Sequence, residues 1–114
     1  MSRTAEFFDG LAQRGHEPLL ERATGTVRFD LVENGRDEHW LVAIDKGDIA
    51  VSHRNVTADC TLRANRSLFD GVASGEVNAM AAVIRGAIQI EGDWSLLVLF
   101  QRVFPTSANA RSAV

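Results

Sequence analysis

Residues Val83 to Phe104 read VIRGAIQIEGDWSLLVLFQRVF, and this stretch is the most informative part of the chain. Two glycines bracket a segment of alternating apolar and polar residues, which is typical of a short β-strand. The dipeptide Gly92-Asp93 then predicts a turn and a helix cap. The helix that follows, Trp94 to Phe104, ends at Pro105 and is apolar around most of its circumference. A helix packed on one sheet face needs a narrower apolar stripe.

Four further strands are predicted upstream, because apolar residues recur there with a period of two. Asn34-Gly35 is a strong hairpin signal between the first two strands. The connections are short, which favours an antiparallel meander of four consecutive strands and one α+β domain. The four segments are Thr26–Val32, His39–Asp45, Ile49–His53 and Ala58–Arg63.

Helical spacing of apolar residues predicts three more helices. They cover Ser2–Arg14, the region around Leu68–Val72, and Ala79–Arg85, the last with Asn78 as its N-cap. The segment from 79 to 85 reads AMAAVIR and is almost entirely apolar. The apolar surface of this helix and of the final helix has three interpretations: it forms ordinary core, it forms a homodimer interface, or it lines a ligand cavity.

Composition excludes several classes of function. The chain has 114 residues, a net charge of −3 and a single lysine, so it lacks the positive surface that nucleic-acid binding requires. The longest apolar run is interrupted by Gln101 and Arg102, so no stable membrane insertion is expected. The ends carry no targeting signature, and a cytoplasmic location is the expectation.

Groups that could perform catalysis are few. The single cysteine, Cys60, lies in an alternating segment and is interpreted as a small buried hydrophobe. His16, His39 and His53 occur singly, and none has the spacing of a metal site. The sequence therefore predicts no cofactor, no metal and no enzymatic activity. An enzyme that uses Asp or His residues beside a cavity remains an alternative.

The order of these elements resembles the sterol-carrier-protein domain, also called the nonspecific lipid-transfer protein family. Four stretches carry the resemblance: GTVRFDL (25–31), KGDIAV (46–51), LFDGVASGEVNAMAAVIRG (68–86) and the closing stretch from Val83 to Phe104. The resemblance spans about Phe7 to Phe104. It implies a single α+β domain with a five-stranded, mostly antiparallel sheet and helices packed on one face. It also implies a hydrophobic tunnel for fatty acids, acyl-CoA esters, sterols or phospholipids, with no cofactor and no reaction.

On this resemblance, residues 1–105 form a sterol-carrier-like lipid-binding domain, and residues 106–114 form a flexible tail. Relatives often carry lysines in the closing strand, whereas this chain has none between Gly86 and Asp93. That departure argues against a basic docking surface. The acidic net charge and the lack of a targeting signature favour a bacterial-style cytoplasmic protein. The predicted lipid-binding residues are Leu68, Phe69, Val72, Met80, Val83, Ile84, Ile88, Ile90, Leu97, Phe100, Val103 and Phe104.

The alternative function is a ligand-free module for homodimerisation or for docking onto another protein. It rests on the same apolar final helix, and it predicts that Leu97 and Phe100 lie at the interface. The two functions therefore differ in what covers the final helix: a bound lipid or a second polypeptide.

Overall fold

A computed structural model describes residues 3–105 of the chain. Short 3₁₀ turns occupy Pro18–Leu20 and Gln101–Val103. The predicted tail, residues 106–114, lies outside the described residues. The main elements are, in chain order, α1 (Arg3–Arg14), β1 (Thr24–Glu33), β2 (Arg36–Asp45), β3 (Asp48–Ser52), β4 (Cys60–Asn65), α2 (Arg66–Ser74), α3 (Ala79–Ile84), β5 (Gln89–Gly92) and α4 (Trp94–Phe100).

The β1–β2 hairpin forms at the predicted dipeptide. Asn34 and Gly35 both have positive φ angles, 53° and 77°, which is the backbone of a tight type I′ turn. Glu33 pairs with Arg36 directly across the turn. The prediction of a hairpin at this point is confirmed, and it sets the register of two ten-residue strands.

The sheet has the order β3-β2-β1-β4-β5. Three of its four pairings are antiparallel, but β1 and β4 are parallel. The prediction of a four-strand meander is therefore wrong for β4, which pairs with β1 instead of β3. The physical reason is burial: Val27, Phe29 and Leu31 of β1 are all 0% exposed, so this apolar strand is stabilised by a neighbour on each side.

The connection between β3 and β4 is held against the sheet by one arginine. Arg28 lies on β1 and points away from Phe29, because successive strand residues face opposite sides. Its Nη1 atom donates a hydrogen bond to the carbonyl oxygen of Val56 at 2.9 Å. The crossover therefore passes over the sheet face opposite the one that carries Phe29.

The helices pack on one face of the sheet, as predicted. The ring of Phe29 on β1 lies 5.0 Å from that of Phe8 on α1, 5.5 Å from that of Phe69 on α2 and 5.3 Å from that of Phe100 on α4. One strand residue thus contacts three helices. The core lies between these helices and the strands.

Local polar groups set the ends of the helices. Asn78 accepts a hydrogen bond from the Ala81 backbone N–H at 2.9 Å and is the N-cap of α3, as predicted. Asp93 caps α4 by accepting from the N–H groups of Ser95 and Leu96. The Ser95 hydroxyl also donates to Asp93, which lowers the pKa of that carboxyl. The α-helix ends at Phe100, so α4 is shorter than the predicted helix and continues as a 3₁₀ turn.

Charged side chains interact on the other face of the sheet. Asp30 is 5% exposed and accepts two hydrogen bonds of 2.9 Å from Arg28 and one of 2.7 Å from His39 Nδ1. Burial alone would raise the pKa of Asp30, but the hydrogen bonds from Arg28 and His39 outweigh it and lower the pKa. The bond from His39 joins β2 to β1, whereas Arg28 and Asp30 both lie on β1.

Candidate functional site

The centre of the molecule is a group of aromatic side chains, here called the aromatic cluster. Neighbouring ring centroids lie between 4.6 Å and 6.4 Å apart, mostly in stacked or edge-to-face arrangements that favour aromatic pairing. It contains all six phenylalanines of the sequence. The members are Phe7, Phe8, Phe29, Trp40, Phe69, Phe100 and Phe104.

Each layer of the fold contributes to the aromatic cluster. The ring of Phe8 on α1 stacks on Trp40 of β2 at 4.6 Å and on Phe69 of α2 at 5.7 Å. Phe100 and Phe104 reach it from the end of the described chain, 5.4 Å from each other. A ligand that enters this region would contact the sheet and at least three helical segments at once.

Eleven of the twelve predicted lipid-binding residues belong to the same continuous apolar core. Ile84 is the exception: it is 83% exposed at the end of α3 and lies away from the core. The buried members are Phe69, Val72, Ile88, Leu97, Phe100 and Phe104. The partly buried members, packed against them, are Leu68, Met80, Val83, Ile90 and Val103.

The buried part of this core is closely packed. Phe69, Val72 and Phe100 are each 0% exposed, so no water-sized space adjoins them. Phe7, in contrast, is only partly buried and packs against the core from outside. A ligand that reached these three buried residues would therefore have to displace the side chains packed around them.

Four residues of the aromatic cluster were absent from the predicted set, namely Phe7, Phe8, Phe29 and Trp40. The signal for them existed in the sequence. Phe7 and Phe8 occur at helical spacing in the first helix, and Phe29 and Trp40 alternate with polar residues in two predicted strands. What the sequence pattern lacked was the information that these elements meet the last helix.

In the described part of the chain, the apolar core contains one titratable side chain, the thiol of Cys60. Burial raises the pKa of the Cys60 thiol to about 11, so this thiol stays protonated and unreactive near neutral pH. Among residues 3–105, no three His, Cys, Asp or Glu side chains are grouped so that they could hold a metal ion. No helix in this part of the chain is long and apolar enough to cross a membrane.

The final helix is not covered on every side. Leu96, Leu97 and Phe100 are buried, whereas Trp94 and Val98 are 49% and 46% exposed. Because these two residues are four positions apart, they share one face of α4. Part of the apolar surface of this helix thus enters the core, while Trp94 and Val98 form a small patch on the surface.

Comparison with protein families assigns the fold and the family together. Residues 7–105 match the SCP-2 sterol transfer family, and the chain belongs to this family. The match begins at Phe7 and includes every member of the aromatic cluster. No curated protein matches the sequence significantly.

Solved structures share the fold at low sequence identity. The sterol carrier protein domain 2 of Helicoverpa armigera is 22% identical, with a TM-score of 0.72 and coverage of 89% of this chain and 87% of that one. A palmitated sterol-carrier-protein-2-like protein of Aedes aegypti is 15% identical, with a TM-score of 0.67. The match covers 90% of this chain and 94% of that one. The sec-alkylsulfatase of Pseudomonas sp. is 19% identical, with a TM-score of 0.65. The match covers 88% of this chain but only 16% of the sulfatase chain.

Proposed function

We propose that this protein binds and transfers hydrophobic ligands without catalysis, and that the ligands are fatty acids, acyl-CoA esters, sterols or phospholipids. The observation that carries the proposal is the position of the aromatic cluster. It lies between α1, α2, α4 and the sheet, and eleven of the twelve residues chosen for lipid binding join the same core. Membership of the SCP-2 sterol transfer family supports it.

The physical basis is the transfer of hydrocarbon from water to an apolar interior. Each methylene removed from water contributes about 0.8 kcal/mol, so a ten-carbon segment contributes roughly 8 kcal/mol before costs. The cost of separating side chains that pack against one another in the ligand-free protein offsets part of this free energy. The six rings of Phe provide broad, weakly specific contact surfaces, which suits a carrier that accepts more than one lipid.

One relative supports an acyl ligand directly. The Aedes aegypti protein with the same fold is described as palmitated. A saturated chain of that kind is flexible and narrow, and it needs only a slot between helices. By analogy, we propose that a long acyl chain can occupy the region of the aromatic cluster here.

Native mass spectrometry of the gently purified protein, followed by organic extraction, tests the proposal. A stoichiometric lipid in the extract is the expected result, and adding that lipid back should raise the melting temperature because it binds only the folded state. Val72→Ala, in the core, should reduce this lipid-induced rise in melting temperature. Ile84→Ala, on the surface, is the matched control and should not. The absence of any melting-temperature shift with fatty acids, acyl-CoA esters and sterols would contradict the proposal.

A second candidate function, an interaction module, is favoured by the exposed patch on α4. The Pseudomonas alkylsulfatase supports it, since the matching region there is a small part of a larger chain. The residues first expected at such an interface, Leu97 and Phe100, are 1% and 0% exposed within their own core. They cannot serve as a docking surface, so that expectation is wrong, and Trp94 and Val98 take their place.

A further inference from the structure

A groove lies between α4 and the 3₁₀ turn at Pro18–Leu20. These two elements are in contact, and the groove between them has a volume of about 330 Å³. Leu19 is 48% exposed, and Leu99 is partly buried, so apolar side chains contribute an accessible surface to the groove. The residues of the lining are Pro18, Leu19, Glu21, Arg22, Leu99 and Arg102.

The exposed patch on α4 adjoins this groove. Val98 is next to Leu99 in the helix, and Trp94 lies one turn before Val98 on the same face. The groove and the patch together are here called the α4 surface. It combines an exposed tryptophan with two arginines, Arg22 and Arg102, and these are the residue types that contribute most to binding in protein interfaces.

The groove has a different charge from the whole chain, which carries a net charge of −3. Arg22 and Arg102 are both exposed, and neither forms an ion pair with another residue that the structure describes. The one carboxylate of the lining, Glu21, lies 3.3 Å from His16 Nε2. Hydrogen bonds to Asp48 and Glu21 raise the pKa of His16, which favours its positive form beside Glu21. Both arginines are therefore available to an anionic partner.

Two other occupants fit the α4 surface less well. A two-fold homodimer would place the same surface on both sides of the interface, so that positive groups face each other. An anionic bilayer is usually recognised by clusters of roughly four to eight basic residues, whereas the groove has two arginines on an acidic chain. A protein segment needs to match only those two charges and the apolar surface beside them.

We propose that the α4 surface binds an acidic segment of another protein, which places an apolar side chain between Leu19 and Leu99 and carboxylates beside Arg22 and Arg102. Arginine suits this role because its planar guanidinium can donate two parallel hydrogen bonds to one carboxylate. The inference rests on the interaction-module function and specifies the chemistry of its partner. It does not depend on lipid binding, because the α4 surface contains no member of the aromatic cluster.

Selection from a random peptide library displayed on phage, with the full chain as the immobilised target, tests the inference. The selected peptides should carry acidic residues on both sides of an apolar residue. Fluorescence polarisation with a labelled selected peptide gives its Kd, which should rise with salt because screening weakens interactions between exposed charges. Selected peptides that lack acidic residues would contradict the inference.

Charge reversal identifies the surface that binds the peptide. Arg22→Glu combined with Arg102→Glu should raise the Kd by roughly tenfold or more, and the melting temperature should stay the same because both side chains are exposed. A peptide with lysine in place of its acidic residues should bind this variant better than the unmodified protein. Arg54→Glu combined with Arg85→Glu is the matched control, since it reverses two exposed arginines outside the groove and should leave the Kd nearly unchanged.

The outcomes separate this inference from the function on which it rests. If Trp94→Ser combined with Val98→Ser abolishes peptide binding but charge reversal does not, the interaction function stands and the acidic partner is wrong. Failure to select any peptide, together with cosedimentation on anionic phospholipid vesicles that charge reversal abolishes, would assign the α4 surface to a membrane and overturn the inference. If neither peptides nor vesicles bind, the interaction function and this inference fail together, and lipid binding is unaffected.

Discussion

Asp30 is a buried carboxylate whose three hydrogen bonds come from the Arg28 guanidinium and the His39 ring. Asp30→Asn should lower the free energy of unfolding at pH 7 by about 1–3 kcal/mol, the usual cost of leaving buried polar groups poorly paired. Folding lowers the pKa of Asp30 from 3.8. The stability that the ionised carboxylate contributes is therefore present above that pH and is lost as the pH falls below it.

Urea unfolding at pH 7 and at pH 3 measures both effects. The difference in the free energy of unfolding between the unmodified protein and Asp30→Asn should be smaller at pH 3 than at pH 7. Asp37→Asn is the control, because Asp37 is an exposed partner of Arg63 at 3.3 Å and such pairs contribute little. Equal stability of Asp30→Asn and the unmodified protein at pH 7 would show that the buried hydrogen bonds have no net effect.

Among the elements, α4 has a side-chain cap at its N-terminus, the carboxylate of Asp93. It has only seven residues in α-helical form, which is too short for stability from the helix backbone alone. Asp93→Ala removes the cap and should lower the free energy of unfolding by about 0.5–2 kcal/mol. Asp93→Asn keeps a side-chain oxygen in place and should retain most of the stability. Chemical denaturation followed by circular dichroism gives both values, and equal losses in the two variants would refute the capping role.

Sequence pattern was sufficient for elements whose structure is set by neighbouring residues. The turn at Asn34-Gly35, the cap at Asn78 and the end of α2 at Gly75, whose φ angle is 84°, all depend on local conformation. The partner of β4 depends instead on where a seven-residue connection crosses the sheet. Local pattern carries no information about that path, and the simplest topology was the wrong one.

The same contrast between local pattern and tertiary packing applies to the candidate site. Eleven of the twelve residues predicted to bind lipid belong to one apolar core, because helical spacing and strand alternation report which side of an element is buried. Ile84 occupies an equally apolar segment and is exposed, since α3 ends there after six residues. The contribution of Phe8 and Trp40 required knowledge of how α1 packs on the sheet, which only the folded structure contains.

At the scale of the whole molecule, the interaction-module function makes a prediction about the oligomeric state in solution. If the patch on α4 is a homodimer interface, sedimentation equilibrium should show a dimer that forms with rising concentration. Trp94→Ser combined with Val98→Ser should abolish it without lowering the melting temperature, because both side chains are about half exposed. Ile84→Ser, at another exposed apolar residue, is the control. A protein that stays monomeric at every concentration contradicts this interface.

The parallel pairing of β1 and β4 has a consequence for the order in which a newly made chain can fold. Synthesis proceeds from the N-terminus, so β1, β2 and β3 are available to pair before residues 60–65 exist. During that interval one edge of β1, later the middle of the sheet, has no strand beside it. An open edge next to Val27, Phe29 and Leu31 is a template for pairing with another chain. The growing chain is therefore most exposed to aggregation between the completion of β3 and the arrival of β4.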